Sequence, residues 1–460
     1  MDTVRSWTDR ELRKLDEIIV EGERRFKERQ PRSRELIGEG KRVLAGGATS
    51  SWQIARPQMV WVSHGEGSRI YDADGSEYVD LHGGYGVGAV GHGHPKIVEA
   101  LARRVPRGTH FAQPTEDAIV VAGELARRFG LPLWRFSNSG TEATMDAVHL
   151  MRAITGRDLI VKVEGCYHGH HDSVMVSVSN GEDEIGPSDR PHSAPSGTGI
   201  PKAITDLTLI VPYNDLAALE RTFSEHRGEI AGMILEPIMM NAGVIPPDEG
   251  YLESIREIVH EHGALLAFDE VKCGVTTAYG GATGYLGVRP DIVCLAKAMG
   301  GGGVPCGAIG GTEEVMGRIA DGTYDQVGTF NGNPLTMAAS RATLTEILTP
   351  EAYEHFDRLG GIMSDGARAI IEEYDLAAYP LSFGAKGSVT FTGHRVRNYR
   401  DFLGLDDRFS QAHWLFQHNG GVFLPPWGKA EQWTLSVQHT EDATRRFVDN
   451  FDAFARALRR

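Results

Sequence analysis

Three short stretches of the 460-residue chain carry side chains whose types and positions suit chemistry. "LLAFDEVKCG" (265–274) is an apolar run that ends in adjacent acids, Asp269 and Glu270. A buried carboxylate is costly unless a cation or several donors meet it, so this strand end needs a positive partner. "SNSGTEAT" (137–144) puts small residues at a helix start, where backbone N–H groups can face an anion. Ser139 and Glu142 have capping-box spacing, and taken alone the stretch reads as a capped helix. "LAKAMGGGG" (295–303) places Lys297 in an apolar segment that runs into four glycines. Taken alone, such a lysine can snorkel to the surface.

One cofactor uses all three stretches. Pyridoxal phosphate (PLP) offers a phosphate, an aldehyde that forms a Schiff base with lysine, and a ring nitrogen kept protonated by a carboxylate. The helix start would take the phosphate, Lys297 the aldehyde and Asp269 the ring nitrogen, which gives the buried acid its positive partner. Once displaced from the aldehyde, the Lys297 amine can move a proton between substrate carbon and cofactor. Burial beside a cationic ring lowers its pKa towards neutrality. Glu270 is expected to be satisfied by a local hydrogen bond or an ion pair.

These residues need a scaffold that holds strand ends together. Between about 76 and 330, apolar runs alternate with amphipathic segments: "PLWRFSNSG" before "TEATMDAVHLMRAI", then "LIVKVEG", "LTLIVP", "IAGMILEP" before "YLESIREIVHEHG", "LLAFDEV" and "DIVCLAKA". Strand and helix in alternation imply an α/β fold with a mainly parallel sheet, whose sites lie at the C-terminal strand ends. Residues 1–75 read as an N-terminal segment of charged helix, second helix and a hairpin around Asp74-Gly75. Residues 331–460 read as a smaller α+β C-terminal domain. The Pro/Gly/Ser-rich stretch 179–201 is long for a compact domain and is expected to be a mobile loop or lid.

Composition excludes several classes of partner. With 47 basic against 62 acidic residues the net charge is −15, which opposes nucleic acid or an anionic membrane surface as the main partner. No apolar run reaches the length of a membrane span. The first thirty residues are dense in both charge signs and lack a signal-peptide core. Four scattered cysteines lack metal or secreted-scaffold spacing, so free thiols and a cytoplasmic location are expected. Histidines at 92, 94, 168, 170 and 171 raise a remote alternative, a metal-dependent hydrolase, but they lack helical zinc spacing and no metal is expected.

Seven motifs occur in one order: "FSNSGTEAT", "EGCYHGHHDS", "PYNDL", "LEPIMMNAGVIPPDEGYLE", "FDEVKCG", "LAKAMGGGGVPCGAIGG" and "GTFNGNPLTMAA". On these the chain resembles the class III, fold type I, PLP-dependent aminotransferases, most closely their glutamate-1-semialdehyde aminomutase branch. The likeness runs from "GEGSRIYDADGSEYVDL" to "LSVQHTEDATRRFV". It implies that Ser139, Gly140 and Thr141 bind the phosphate, Tyr167 stacks on the ring, and Glu236 and Asn241 lie near the cofactor. Asp269 would pair with the ring nitrogen, and Lys297 would be the Schiff-base lysine. Thr329 would reach the phosphate of the neighbouring subunit, making the active unit a homodimer with shared sites.

The substrate side departs from the aminomutase pattern. That pattern places a carboxylate-binding arginine where "GGATSSWQIARP" has Gln53, and an amide is a poor substitute for a bidentate guanidinium. Tyr85 stands in place of a tryptophan, and Met239 and Met240 in place of small residues. Trp52, Gln53, Tyr85, Met239, Met240 and Trp427 are the substrate-pocket candidates. The expected reaction is transfer from an amine or amino acid, with an apolar, aromatic or β-amino donor, to a keto acid. The alternative is a glutamate-1-semialdehyde 2,1-aminomutase.

Overall fold

The structure is a computed structural model that describes residues 7–426, 428–430 and 432–459. The chain divides into two compact units. The larger comprises Pro95–Tyr353 and Val396–Gly404. Its centre is a seven-stranded sheet: β1 (Leu133–Ser137), β2 (Leu159–Val163), β3 (Thr208–Val211), β4 (Ile230–Leu235), β5 (Leu265–Asp269), β6 (Ile292–Ala296) and β7 (Gly307–Gly311). The spatial order is β1-β7-β6-β5-β4-β2-β3. The β6, β5, β4, β2 and β3 strands run parallel, and β7 is antiparallel to both β6 and β1.

Every residue of β4 and β6 is buried, as expected of strands covered on both faces. The helix Gly140–Thr155 lays Ala143, Ala147, Leu150 and Met151 over Ile160, Ala231, Ile234, Ala267 and Ile292. Each fully buried Leu, Ile or Met side chain contributes about 1.5–3 kcal/mol. The contact is close because β4 carries Gly232, where a Cβ would sit 2.2 Å from Met151 Sδ.

The β7 strand escaped the sequence reading because "GAIGG" has poor strand propensity. Its glycines are there for room: a Cβ on Gly307 would lie 2.3 Å from Ser139 O, and one on Gly310 2.4 Å from the Trp134 ring.

The smaller unit joins three pieces of chain, within residues 7–94, 354–395 and 405–459. The helices Asp9–Glu28, Asp407–Asn419 and Glu441–Arg459 bury Leu15, Ile18, Phe409, Phe451, Phe454 and Leu458 in one cluster. Thr8 and Glu11 form a capping box at the first helix. A second element is the sheet of Val62–Glu66, Arg69–Asp72, Glu77–Asp80 and Val422–Phe423. The hairpin expected at Asp74-Gly75 is present, with Asp72 Oδ1 accepting from Asp74 N and Ser76 N.

This division runs differently from the three consecutive segments expected from sequence. Residues 1–94 and the C-terminal piece form one unit because Val79 pairs with Val422 in a parallel register. The helix Pro334–Ala342 belongs to the larger unit, not to a separate domain starting at 331. Residues 396–404 return to the larger unit through Arg400, whose guanidinium makes a two-pronged pair with Glu164 at 2.9 Å on each prong.

The stretch 179–201 is tied down, contrary to the lid expected there. His192 N donates to Ile185 O, and Ser196 N to Met175 O. Arg400 also donates to Gly186 O and Ile185 O, and Tyr399 Oη to Asn180 O. Its polar composition serves these internal bonds.

Candidate active site

Four adjacent parallel strands, β2, β4, β5 and β6, place their C-terminal ends side by side, where open parallel sheets build sites. After β2 come Tyr167 and His168; after β4, Glu236, Met240 and Asn241; at the end of β5, Asp269, with Lys272 beyond it; after β6, Lys297.

Asp269 is buried and held at both oxygens. Oδ1 accepts from Val271 N at 2.9 Å and Oδ2 from His168 Nδ1 at 2.8 Å. The other ring nitrogen of His168, Nε2, is buried without a partner among the described residues. Glu270 turns the opposite way: its carboxylate accepts from Ala282 N, Thr283 N and Thr283 Oγ1. Burial pushes its pKa up to about 7.

Lys297 is half-buried, and its amine has no hydrogen-bond partner among the described residues. Burial lowers its pKa, against Asp269 and Glu236, which raise it. Its backbone has φ 51°, a left-handed conformation rare for a side-chain-bearing residue and a form of strain that collects at functional sites.

Glu236 bridges two loops. Oε1 accepts from Tyr167 N at 3.0 Å and Oε2 from Met240 N at 2.8 Å. Ser139 caps the helix Gly140–Thr155 by accepting from Glu142 N, and Glu142 Oε2 in turn accepts from Asn138 N and Ser139 Oγ. The first-turn N–H groups of Gly140 and Thr141 lie at the positive end of that helix. At residue 140 a Cβ would lie 2.8 Å from the Val271 methyl groups, so a larger residue there would force Val271 to shift. Thr141 Oγ1 accepts from His170 N at 3.1 Å. The turn bearing Thr329 is joined to this region by Asn138 Nδ2 donating to Asn331 Oδ1 at 3.0 Å, and Thr329 itself is exposed.

The pocket candidates separate into two sets. In the smaller unit, Trp52, Gln53 and Tyr85 line one cavity of about 590 Å³ with Trp61, His82 and Phe423. Tyr85 Oη donates to Trp52 O at 2.9 Å, and their rings meet edge-on at 5.4 Å. Gln53 Oε1 accepts from Thr49 N and Thr49 Oγ1, so the amide braces its own loop. No lysine or arginine is among the described residues lining this cavity. Met239 and Met240 are fully buried in the larger unit, in a loop closed by Met239–Ile245 backbone bonds. Trp427 lies outside the described residues. Arg397, an arginine of the larger unit, is paired with Asp248.

The sequence reading missed His168 and Lys272. The first stood inside a histidine-rich motif weighed as a metal site, although it follows Tyr167 directly. The second stood three residues past Asp269 in a quoted motif. His92, from the other histidine motif, pairs with Asp80 at 2.6 Å.

A buried acid and, among the described residues, a half-buried amine without a partner, a helix start with free donors and an orphaned histidine nitrogen fit PLP. Together they offer complements to its ring nitrogen, aldehyde and phosphate. The family model for class-III aminotransferases matches residues 53–428. Glutamate-1-semialdehyde 2,1-aminomutase 1 of Staphylococcus carnosus is 38% identical over 92% of this chain and 97% of its own length. An omega-transaminase from Sphaerobacter thermophilus superposes with a TM-score of 0.86 at 33% identity, covering 93% of this chain and 97% of that one. A glutamate-1-semialdehyde-aminomutase variant from Pseudomonas aeruginosa PAO1, in complex with PMP, gives 0.88 at 29% identity, covering 97% and 99%. Among the described residues, no helix is long and apolar enough to cross a membrane.

Proposed function

Because the chain belongs to the class-III aminotransferase family and its cofactor is PLP, we propose that Lys297 is the residue that carries the cofactor and moves the proton in amino-group transfer. The observation that carries this reading is the half-buried Lys297 amine, without a partner among the described residues, on a strand end beside that of Asp269.

When bound, PLP supplies a carbonyl that condenses with amines and a ring that accepts electron density. The chain does the rest. Gly140 and Thr141 N–H groups, with Ser139, would hold the phosphate. Tyr167, whose backbone N–H is held by Glu236, would stack on the ring. Asp269 Oδ2, oriented by His168, would pair with the ring nitrogen. Lys297 Nζ, whose pKa burial lowers, would accept a proton from the substrate carbon and return it in the course of amino-group transfer. Thr329 completes the phosphate contacts across a homodimer.

Two courses are open to the amino group. The names of the curated relatives support a shift between neighbouring carbons of one molecule, as in glutamate-1-semialdehyde 2,1-aminomutase, better than the intermolecular transfer expected from sequence. The second reading, transfer from an amine or amino acid to a keto acid, is favoured by Gln53: an amide engaged by Thr49 stands where the aminomutase pattern has a carboxylate-binding arginine.

One experiment separates them. The PLP-loaded enzyme is given glutamate-1-semialdehyde alone, then panels of amines, β-amino acids and α-amino acids with pyruvate or 2-oxoglutarate. Formation of 5-aminolevulinate without a keto acid establishes the internal shift. Turnover only with a donor and a keto acid establishes intermolecular transfer. Retention of the visible cofactor band and of activity in Lys297→Ala would overturn both.

A further inference from the structure

A second amine stands near the ends of the parallel strands. Lys272 stands three residues past Asp269, and its Nζ donates to Met240 O at 2.6 Å and to Asn241 Oδ1 at 3.3 Å. Met240 is the residue whose N–H is held by Glu236, the carboxylate that also holds Tyr167 N. Lys272 is therefore fixed to the same loop framework that positions the ring-stacking residue. Its ammonium feels Lys297: burial and that like charge push it down to about 7, while Glu236 and Cys273 draw it up. An ammonium has three N–H bonds, and two are accounted for among the described residues.

We propose that Lys272 is a second cationic contact of this site, presenting its remaining N–H to an oxyanion bound beside Lys297. The inference rests on the reading of Lys297 and Asp269 as the cofactor-binding pair. An oxyanion there has two sources, the phenolic oxygen of the cofactor and a carboxylate of the substrate. In the second case Lys272 supplies a positive charge for that carboxylate. Its two protein acceptors hold the amine in place, so little side-chain entropy is lost when the third contact forms.

The test uses the PLP-loaded full chain with Lys272→Gln and Lys272→Met. Gln keeps an N–H donor for Met240 O without the charge, which makes it the conservative variant; Met keeps the length alone. Two readouts are taken: the pH midpoint of the visible cofactor band without substrate, and KM and kcat for a donor with a carboxylate beside the same donor without one. If the oxyanion is the cofactor's, the midpoint rises by about one pH unit or more in both variants, because a neighbouring cation has gone. If it is the substrate's, KM rises about 10- to 100-fold for the carboxylate donor alone. An unchanged midpoint together with unchanged KM for both donors overturns the proposal. Loss of the band in the unaltered enzyme would instead overturn the parent reading.

Discussion

His168 Nδ1 lies 2.8 Å from Asp269 Oδ2, and both side chains are buried. An acid at a strand end is thereby aimed by a group a hundred residues away, on a neighbouring loop. A hydrogen bond to a charged group is worth about 1.5–3 kcal/mol. His168→Phe should therefore lower kcat about 10- to 100-fold and shift the cofactor's visible band. Asp269→Asn should cost more, since it removes the charge itself; steady-state rates and absorbance spectra check both.

Glu270 gives a pH dependence with a definite sign. Burial raises its carboxyl from 4.5 to about 7 in the folded chain. The folded state then binds a proton that the unfolded state has released, so this stability is fully present below about 4.5 and lost as pH rises through about 7. Urea midpoints should fall between pH 5 and pH 8, and the fall should shrink in Glu270→Gln. An equal fall in the variant would show that other groups control it.

Arg400→Ala would strand Glu164, whose side chain is 0% exposed. Removing one partner of a buried ion pair costs about 3–5 kcal/mol. Chemical denaturation should register a loss of that order. Amide exchange should quicken across residues 179–201, which lose the bonds to Gly186 and Ile185 carbonyls.

Gln53→Arg should shift substrate preference. A guanidinium can grip a carboxylate in two places, so kcat/KM should rise about tenfold for carboxylate-bearing substrates and fall for simple amines. The comparison needs one donor with a carboxylate and one without, assayed under the same conditions.

The parts legible in the sequence share a physical character: their signal is local. The all-buried strands announce themselves as apolar runs, Ser139 and Glu142 as a three-residue cap, and Asp269 and Lys297 as polar groups in apolar settings. What stayed hidden depends on residues far apart in the chain. Arg400 and Glu164 are 236 positions apart, and in "RVRNYRD" the arginine looks like part of a solvated basic face. Lys272 looked like the tail of a motif because its acceptors, Met240 O and Asn241 Oδ1, follow a different strand. Gly307 and Gly310 argued against a strand for want of side chains, yet the space they leave is what lets β7 pass beside Ser139 and Trp134.

The pairing of Val79 with Val422 bears on how the chain is made. During synthesis residues 62–80 emerge early, while the strand that completes their sheet is still untranslated. The sheet containing Val79 cannot be completed until residues 422–423 leave the ribosome, whereas all seven strands of the larger sheet are available once residue 311 has emerged. Translation thus makes the larger sheet closable while the smaller one still waits for a strand about 340 residues downstream of its first three.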